Sequence, residues 1–252
     1  MNIRFDGKLV LVTGAGHGLG RCIAQTFAGL GAVVHACDIN AEALKETASH
    51  GNIFTRVVDL TDRKAAAAWV KEAEGSSSAK HIDVLVNNAG GVAGQVMHPL
   101  EDVPDEDWDR VFAVNVNAAM AVCRAAVPGM KRAGRGRIIN ISSGAGLQAS
   151  LTGIQAYCST KHAVVGLTRQ LAHELGPFGI TVNSVAPGFV RSNPSTEKQW
   201  DSYGADGQAA MIKRIALQRL GTAQDIANGV LFFASDLAAW VSGQILQVDG
   251  GK

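Results

Sequence analysis

The stretch Leu9-Val-Leu-Val-Thr-Gly-Ala-Gly-His-Gly-Leu-Gly20 decides the fold. A short apolar strand runs directly into glycines, which let the backbone approach a pyrophosphate, and the helix beyond them adds a favourable dipole. The strict GxGxxG pattern is not met because position 19 is Leu, and the spacing is instead Gly14-x-x-x-Gly18-x-Gly20. A plain tight turn is the alternative, but a turn placed between a strand and a helix predicts a dinucleotide site.

Strand and helix patterns alternate along the rest of the chain. Several strands are apolar at successive positions, as expected where both faces of a sheet are covered. The alternation implies right-handed crossovers and a parallel seven-stranded sheet with helices on both faces, so we predict an α/β fold, a single doubly wound domain spanning 1–252. The predicted strands are 9–13, 33–37, 53–58, 84–87, 137–141, 181–185 and 245–248, and the predicted helices are 19–30, 41–49, 63–74, 105–133, 156–175 and 223–234.

Asp38 ends the second predicted strand, close to the offset of about 20 residues expected for an acid that binds the adenosine ribose. A carboxylate there accepts hydrogen bonds from both ribose hydroxyls and repels a 2′-phosphate. The neighbours His17 and Ile39 offer no fixed cation to such a phosphate. Asp38 also suits a capping role for the helix that follows. We favour NAD over NADP.

Tyr157-Cys-Ser-Thr-Lys161 lies at the start of a predicted helix. Residues four apart share a helix face, so the phenol and the ammonium can flank one pocket. A free phenol titrates near pH 10, roughly, and a nearby ammonium favours its ionised form. Tyr157 is therefore a candidate general acid and base, although an ordinary surface pair would have the same spacing.

Composition and charge exclude several classes. The net charge is +1 with scattered basic residues, which gives no footprint for nucleic acid or a membrane surface. No apolar run approaches the roughly 18 residues of a membrane span. The four cysteines form no ligand pattern, so we expect no metal site, and their sparse distribution fits the cytoplasm.

Taken together, the motifs resemble those of the short-chain dehydrogenase/reductase family in its form of about 250 residues. The resemblance covers nearly the whole chain, and the motifs occur in the family's order. It implies a Rossmann fold, a nicotinamide cofactor, and commonly a homotetramer built on helices 105–133 and 156–175. The motifs that carry it are residues 13–20, Asn87-Asn-Ala-Gly90, Asn115, Ser142-Ser143, Tyr157 with Lys161, Pro187-Gly188 and Val248-Asp-Gly-Gly251.

The resemblance implies a role for each catalytic residue. Tyr157 would be the acid/base, and Lys161 would bind the nicotinamide ribose and lower the pKa of Tyr157. Ser143 would hydrogen-bond the reacting oxygen; we choose it over Ser142 by its spacing to Tyr157. Asn115 would hold a water that relays protons through Lys161. Asn117, two positions further on, could be mistaken for it.

The resemblance also implies which residues line the cofactor. Asp59 and Leu60 match positions that cradle the adenine, and Val190 and Ser192 match positions that contact the carboxamide. The full set of predicted cofactor residues is Gly14, His17, Gly18, Leu19, Gly20, Asp38, Asp59, Leu60, Asn88, Ala89, Gly90, Tyr157, Lys161, Pro187, Gly188, Val190 and Ser192.

Residues 189–215 lose regular patterning, and by position they would cover the active site as a lid. Their polar side chains, with Gln148, Ser150 and Gln155, favour a polyol, sugar or sugar acid as substrate. Arg191 is a candidate anchor for a substrate carboxylate, beside Ser143 and Tyr157, or else a solvated loop residue.

The predicted function is NAD-dependent hydride transfer between nicotinamide and a secondary alcohol or ketone of a small polar substrate. A 3-oxoacyl or other ketone reductase is the alternative, against which Asp38 argues because biosynthetic reductions usually use NADPH. A non-catalytic NAD-binding regulator would be expected to have lost Ser143, Tyr157 or Lys161, and all three are present.

Overall fold

A computed structural model of the chain describes residues 3–78 and 80–252. Met1, Asn2 and Ala79, which the predicted 1–252 domain includes, lie outside the described residues. Within the described part, seven parallel strands form one sheet in the order β3-β2-β1-β4-β5-β6-β7, which confirms the predicted sheet. The strands are β1 Leu9–Thr13, β2 Val33–Asp38, β3 Ile53–Val57, β4 Val84–Asn87, β5 Gly136–Ile141, β6 Ile180–Pro187 and β7 Ile245–Val248.

Helices connect successive strands, and polar side chains fix several of their starts. Asn40 and Asp62 cap α2 and α3, and Thr222 forms a capping box with Asp225 at α9, as the spacing of that pair predicts. The helices are α1 Gly18–Gly29, α2 Ala41–Ala48, α3 Arg63–Ser76, α4 Asp105–Phe112, α5 Ala118–Ala133, α6 Gln155–Leu175, α7 Pro194–Ser202, α8 Gly204–Arg214 and α9 Ala223–Ala234.

Two cores cover the two faces of the sheet. Val10 and Val12 of β1 face the core that contains Phe27 of α1 and Val230 of α9. Leu9 and Leu11 point the other way, into a core with helices α3 and α5. This alternation follows from the two-residue period of a strand. Helices therefore lie on both faces, as the doubly wound prediction requires.

The predicted helix 105–133 is continuous but irregular. A five-residue π-helical turn, Ala113–Asn117, separates α4 from α5, and nothing in the sequence pattern indicates it. The span Asp105–Ala133 also has the length and mean hydropathy of a membrane helix, although polar side chains interrupt its apolar residues. Its α5 part packs in the core through Val122 and Met130, and core helices of soluble proteins have the same length and hydropathy.

The prediction that residues 189–215 lack regular structure is wrong. They contain α7 and α8, and α7 begins with an Asn193–Thr196 capping box and Pro194 in its first turn. These residue types are those that start helices, so the signal was present in the sequence.

The strand order changes direction between β1 and β4, which are neighbours in the sheet although β2 and β3 lie between them in the chain. At such a switch point, the connections at the carboxyl ends of the two strands leave toward opposite faces and open a crevice. The fold therefore places the glycine turn after β1 beside the Asn87–Gly90 segment after β4.

Candidate active site

The turn after β1 has no room for a side chain at its glycine positions Gly14 and Gly20. Gly14 and Gly18 have φ values of +63° and +56°, in the left-handed region that favours glycine. A Cβ on Gly14 would lie 2.7 Å from Ala89 Cα, and one on Gly20 would overlap the Gly14 carbonyl oxygen. The turn is thus tightly packed at its glycines, where only backbone fits, and it leads into the start of α1, which suits a pyrophosphate group.

The segment after β4 is tied directly to this turn. The Thr13 hydroxyl accepts hydrogen bonds from the backbone N–H groups of Asn88 and Ala89, both at 3.0 Å. The Asn88 amide donates to the carbonyls of Thr13 and Gly14 at 3.0 and 2.9 Å. Asn88 was predicted to line the cofactor, and here its side chain fixes the shape of the turn; Thr13 was not singled out.

Gly20→Ala is expected to weaken NADH binding about tenfold or more, a loss of roughly 1.4 kcal/mol. The added methyl overlaps the Gly14 carbonyl, so the turn must move before the pyrophosphate can contact it. Gly29→Ala is the matched control, because it lies in the same helix and a Cβ there meets nothing within 4 Å. Equal NADH affinity of the two variants in a fluorescence titration would contradict the pyrophosphate assignment.

Asp38 lies at the carboxyl end of β2, against the turn. One carboxylate oxygen accepts the Gly16 N–H at 2.9 Å and the other accepts the Asn40 N–H at 3.0 Å. The helix-capping alternative is not what the structure shows, since the Asn40 side chain caps α2. Asp38 is half-buried, and each oxygen keeps a lone pair for a ribose hydroxyl.

Sequence reasoning missed Arg21, one residue after the last glycine of the turn. Its guanidinium donates to the carbonyls of Gly16 and Ala43 and forms an ion pair with Glu46. A cation therefore lies near Asp38, although Glu46 partly neutralises it. The contact could not be inferred locally, because it joins α1 to α2.

The other predicted cofactor positions fall along the same edge. His17 is exposed at the start of α1, and Leu19 packs against the first core. Ser192 lies against the turn, since a Cβ on Gly18 would be 2.8 Å from the Ser192 carbonyl oxygen.

The side chains of Leu60 and Val190 pack in the two hydrophobic cores, and the contacts of both residues with a cofactor stay predictions. The Asp59 carboxylate accepts from the N–H and hydroxyl of Thr61, at 2.9 and 2.7 Å. The neighbouring Val58 N–H donates to the Asp38 carbonyl, which holds this segment beside the ribose acid.

The structure distinguishes the two serines at the end of β5. Ser142 is buried and bonds within the sheet, donating to the Val185 carbonyl at 3.2 Å and accepting from the Ser184 hydroxyl at 2.9 Å. Ser143 is half-buried, its hydroxyl accepts the Ala145 N–H at 3.1 Å, and it lies near enough to Tyr157 to lower the pKa of that phenol. This arrangement favours Ser143 over Ser142 as the residue that faces the reacting oxygen.

Tyr157 and Lys161 stand together on the first turns of α6. Lys161 is buried, its Nζ donates to the Ile141 carbonyl at 3.0 Å and lies 5.7 Å from the centre of the Tyr157 ring. Burial lowers the pKa of Lys161 to about 8. Burial raises the pKa of Tyr157, and the nearby Ser143 hydroxyl partly offsets this. The expected lowering of the Tyr157 pKa by Lys161 is therefore not seen among the protein groups.

Asn115 occupies the π-helical turn and is buried. Its amide donates to the carbonyls of Gly91 and Val111 at 2.7 and 2.9 Å, and its oxygen accepts the Gly91 N–H at 2.9 Å. A Cβ on Gly90 would lie 2.5 Å from the Asn115 oxygen and 3.4 Å from Lys161 Nζ. The turn thus brings Asn115 and Lys161 to the same side of Gly90, and π-turns often occur at functional sites.

A buried polar chain positions α6 on the sheet. The Asn87 amide donates to the Asn140 oxygen, and the Asn140 amide donates to the Thr168 hydroxyl, both at 2.9 Å. The sequence singled out Asn87 only as part of a motif and did not single out Asn140 or Thr168 for this role. These buried hydrogen bonds tie β4, β5 and α6, which carry the site, to one another.

Arg191 does not stand free to bind a substrate carboxylate. Its guanidinium donates to Glu197 at 2.9 and 2.6 Å and lies 5.5 Å from the centre of the Trp200 ring. The carboxylate that Arg191 binds is thus that of Glu197 on α7. The pair depends on α7, which lies in the region predicted to lack regular structure and which brings Glu197 to Arg191.

The fold and this arrangement define the class. A glycine turn at a topological switch point, with a Ser–Tyr–Lys group on the adjacent strand and helix, is the machinery of a dinucleotide-dependent oxidoreductase.

Comparisons with known proteins agree. A family profile described as enoyl-(acyl carrier protein) reductase matches residues 14–252, and the chain belongs to the short-chain dehydrogenase/reductase family, whose members bind nicotinamide cofactors and interconvert alcohols and ketones.

Three relatives illustrate the range of that family. A 3-oxoacyl-[acyl-carrier-protein] reductase of Thermotoga maritima is 36% identical over 99% of both chains. A solved 7α-hydroxysteroid dehydrogenase with NADH and 7-oxo glycochenodeoxycholic acid is 36% identical, with a TM-score of 0.89, covering 99% of this chain and 96% of that one. A Beutenbergia cavernae protein described as a candidate NAD(P)-dependent gluconate 5-dehydrogenase, with bound NADP at low occupancy, is 37% identical, with a TM-score of 0.87, covering 99% and 98%.

Proposed function

We propose that this oxidoreductase is NAD-dependent and transfers a hydride between nicotinamide and a secondary alcohol or ketone of a small polar substrate, with Tyr157 as the acid/base. The observation that carries the proposal is the placement of Tyr157 beside the buried Lys161, whose Nζ lies 5.7 Å from the centre of the Tyr157 ring, with Ser143 near the same phenol at the carboxyl edge of the sheet. A bound nicotinamide supplies the hydride acceptor or donor.

The residues divide the proton chemistry between them. Tyr157 takes the proton of the alcohol in oxidation and returns it to the ketone in reduction. Ser143 donates a hydrogen bond to the oxygen on which negative charge develops, as an oxyanion hole does. Lys161 holds the cofactor ribose, and Asn115 shapes the route by which protons reach the phenol through Lys161.

The proposed preference for NAD depends on Asp38. Its carboxylate is fixed by two backbone N–H groups, so it stays where the adenosine ribose would lie and repels a 2′-phosphate. Arg21 works against this preference, but its ion pair with Glu46 weakens the effect. The structural relatives carry NADH in one case and NADP in another, so they do not decide the matter.

Asp38→Ala is expected to lower the ratio of kcat/KM with NAD to that with NADP by about tenfold to a hundredfold, since two hydrogen bonds and one repulsion are lost. The fully exposed Asp236, at the opposite edge of the sheet, gives the control Asp236→Ala. Both ratios are calculated from the initial rates at which the reduced cofactor forms, followed by its absorbance. An unchanged ratio in Asp38→Ala would remove Asp38 from ribose recognition.

The proposed polar substrate rests on side chains around the site. Gln148 is exposed beside the site, and one structural relative is described as a gluconate dehydrogenase. Ser150 and Gln155, however, bond to Thr152 and to the His98 carbonyl. A panel of polyols, sugars and sugar acids with NAD tests the proposal, with simple secondary alcohols as the comparison. Formation of NADH from none of the polar compounds would remove this substrate class.

A ketone reductase acting on a less polar compound is the second candidate, and one observation favours it. Met97 contacts the segment before α6, where a Cβ on Gly153 would lie 2.9 Å from its Cγ. Met97 and Leu151 are more than half exposed, and Leu147 is also exposed. Exposed apolar side chains of this kind beside a site suit a less polar substrate. Faster turnover of longer ketones with NADH or NADPH, and none of polyols with NAD, would favour this candidate.

Assembly and compartment are proposals as well. We propose a homotetramer, which the exposed Phe178, Trp240 and Leu246 support as surfaces that an interface would cover. We propose the cytoplasm, which the four free cysteines support. We propose no nucleic-acid or membrane partner.

A further inference from the structure

A cavity of about 350 Å³ lies at the edge of the sheet opposite the glycine turn. It opens where β1, β4 and β5 begin, near Lys8, Val84 and Gly136, and the end of α9 closes one side. The strands run from this cavity to the candidate active site, so the two lie about 13 Å or more apart, the length of four or five strand residues. Its volume is that of a small-molecule site.

Basic side chains outnumber acidic ones in its lining. Arg4, Lys8, Arg135 and Arg137 face two carboxylates, those of Asp83 and Asp236. Arg4 is paired outside the cavity with Asp6.

Arg137 is the least satisfied of these cations. Its side chain is only 18% exposed, and its Nε is buried and has no hydrogen-bond partner among the described residues. Nη1 donates to the carbonyl of the preceding Gly136 at 3.1 Å, and Nη2 lies 3.6 Å from a carboxylate oxygen of the fully exposed Asp236. A guanidinium carries five N–H donors, and a largely buried one is costly unless they are paired.

Asp83 cannot neutralise the remaining cations alone. Lys8 and Arg135 approach the same oxygen of Asp83 at 3.4 and 3.5 Å, and His81 lies 3.4 Å from that oxygen. The other oxygen accepts the Leu9 N–H at 3.0 Å. One carboxylate therefore serves several donors at long range, which leaves positive charge at the cavity wall.

The rest of the wall is mainly apolar, formed by side chains that include Phe5, Val84 and Leu237, together with Ser235. We propose that this cavity binds a small organic oxyanion, a carboxylate or phosphate monoester, whose charged group bonds Arg137 and whose short apolar part covers Phe5 and Leu237. Paired oxygens of such a group match the fork of a guanidinium and supply the acceptors that Arg137 lacks. This site is separate from the proposed reaction and does not depend on it.

Isothermal titration calorimetry of the full-length protein with hexanoate and with hexyl phosphate tests the site. The probe with the lower Kd identifies the preferred charged group. Arg137→Met is expected to weaken that probe at least about tenfold, as the loss of a charge-assisted hydrogen bond would. Arg135→Met, whose side chain is more than half exposed, is a second variant that keeps the fold and should weaken the probe less. Arg63→Met, an exposed arginine at the start of α3, is the matched control and should bind as wild type.

Saturating NADH should leave the affinity for the probe unchanged, because the two sites lie at opposite edges of the sheet. Hexanol should not bind, since it lacks the anion. The proposal is overturned if neither anion binds, if Arg137→Met binds the probe as tightly as wild type, or if NADH competes with the probe; should Arg137→Met not fold, wild-type affinity in Arg135→Met overturns it instead.

Discussion

Tyr157→Phe is expected to lower kcat/KM for alcohol oxidation about a thousandfold, within the range that general acid–base catalysis contributes. The substitution removes only the hydroxyl that exchanges the proton, and the ring stays in place beside Lys161. The Kd for NADH should therefore stay within about threefold of wild type, a change of less than 1 kcal/mol. Steady-state rates and NADH fluorescence titration measure the two quantities separately.

The chain supplies a matched control in Tyr203, the second of its two tyrosines. Its hydroxyl accepts a hydrogen bond from Gln199 at 2.6 Å within the α7 region. Tyr203→Phe loses a neutral hydrogen bond, so we expect kcat/KM to fall less than about tenfold. Equal losses in the two variants would mean that the phenol of Tyr157 has no special part in the chemistry.

Lys161→Met is expected to abolish most turnover and yet to make the protein without cofactor more stable at pH 7. Burial lowers the Lys161 pKa from 10.5 to about 8, so the folded state holds its ammonium at a cost. About 2.5 pKa units correspond to roughly 3 kcal/mol. Loss of the bond to the Ile141 carbonyl offsets about 1 kcal/mol. The free energy of unfolding should rise by about 2 kcal/mol, a gain of stability at the expense of activity.

The sign of the pH dependence tests this explanation. Below pH 8 the lysine is charged in both states, and the cost of burying the charge is full. Between pH 8 and 10.5 the folded state binds fewer protons than the unfolded state, so wild-type stability gains on that of the variant as pH rises. Urea unfolding at pH 7 and pH 9.5 should show the difference shrinking. A variant less stable than wild type at pH 7, or a constant difference, would contradict the assigned burial cost.

The fold was largely predictable because its signals are local. The apolar run before Gly14 and the turn itself specify a strand, a bend and a helix within twelve residues. Strand alternation with helices then leaves few topologies, since crossovers are right-handed. The structure places β1, β4 and β7 at the predicted bounds and extends β6 by one residue before and two after the prediction.

What the sequence did not reveal depends on contacts between distant segments or on subtle backbone changes. The π-turn at Asn115 shifts the hydrogen-bond pattern without disturbing the apolar spacing. Arg191 hydrogen-bonds Glu197 only because α7 forms, and the hydrogen bond from Arg21 to the Ala43 carbonyl joins α1 to α2. The Tyr157 pKa is governed by burial, a property that an i, i+4 spacing cannot convey.

The most direct test of the central claim is the pH dependence of alcohol oxidation, measured as single-turnover formation of NADH between about pH 6 and 10, in wild type and in Tyr157→Phe. If Tyr157 accepts the proton, the wild-type rate rises with pH as one group ionises, and the variant is slow and nearly independent of pH. A variant that keeps the wild-type rate, or shows the same rise with pH, would contradict the account.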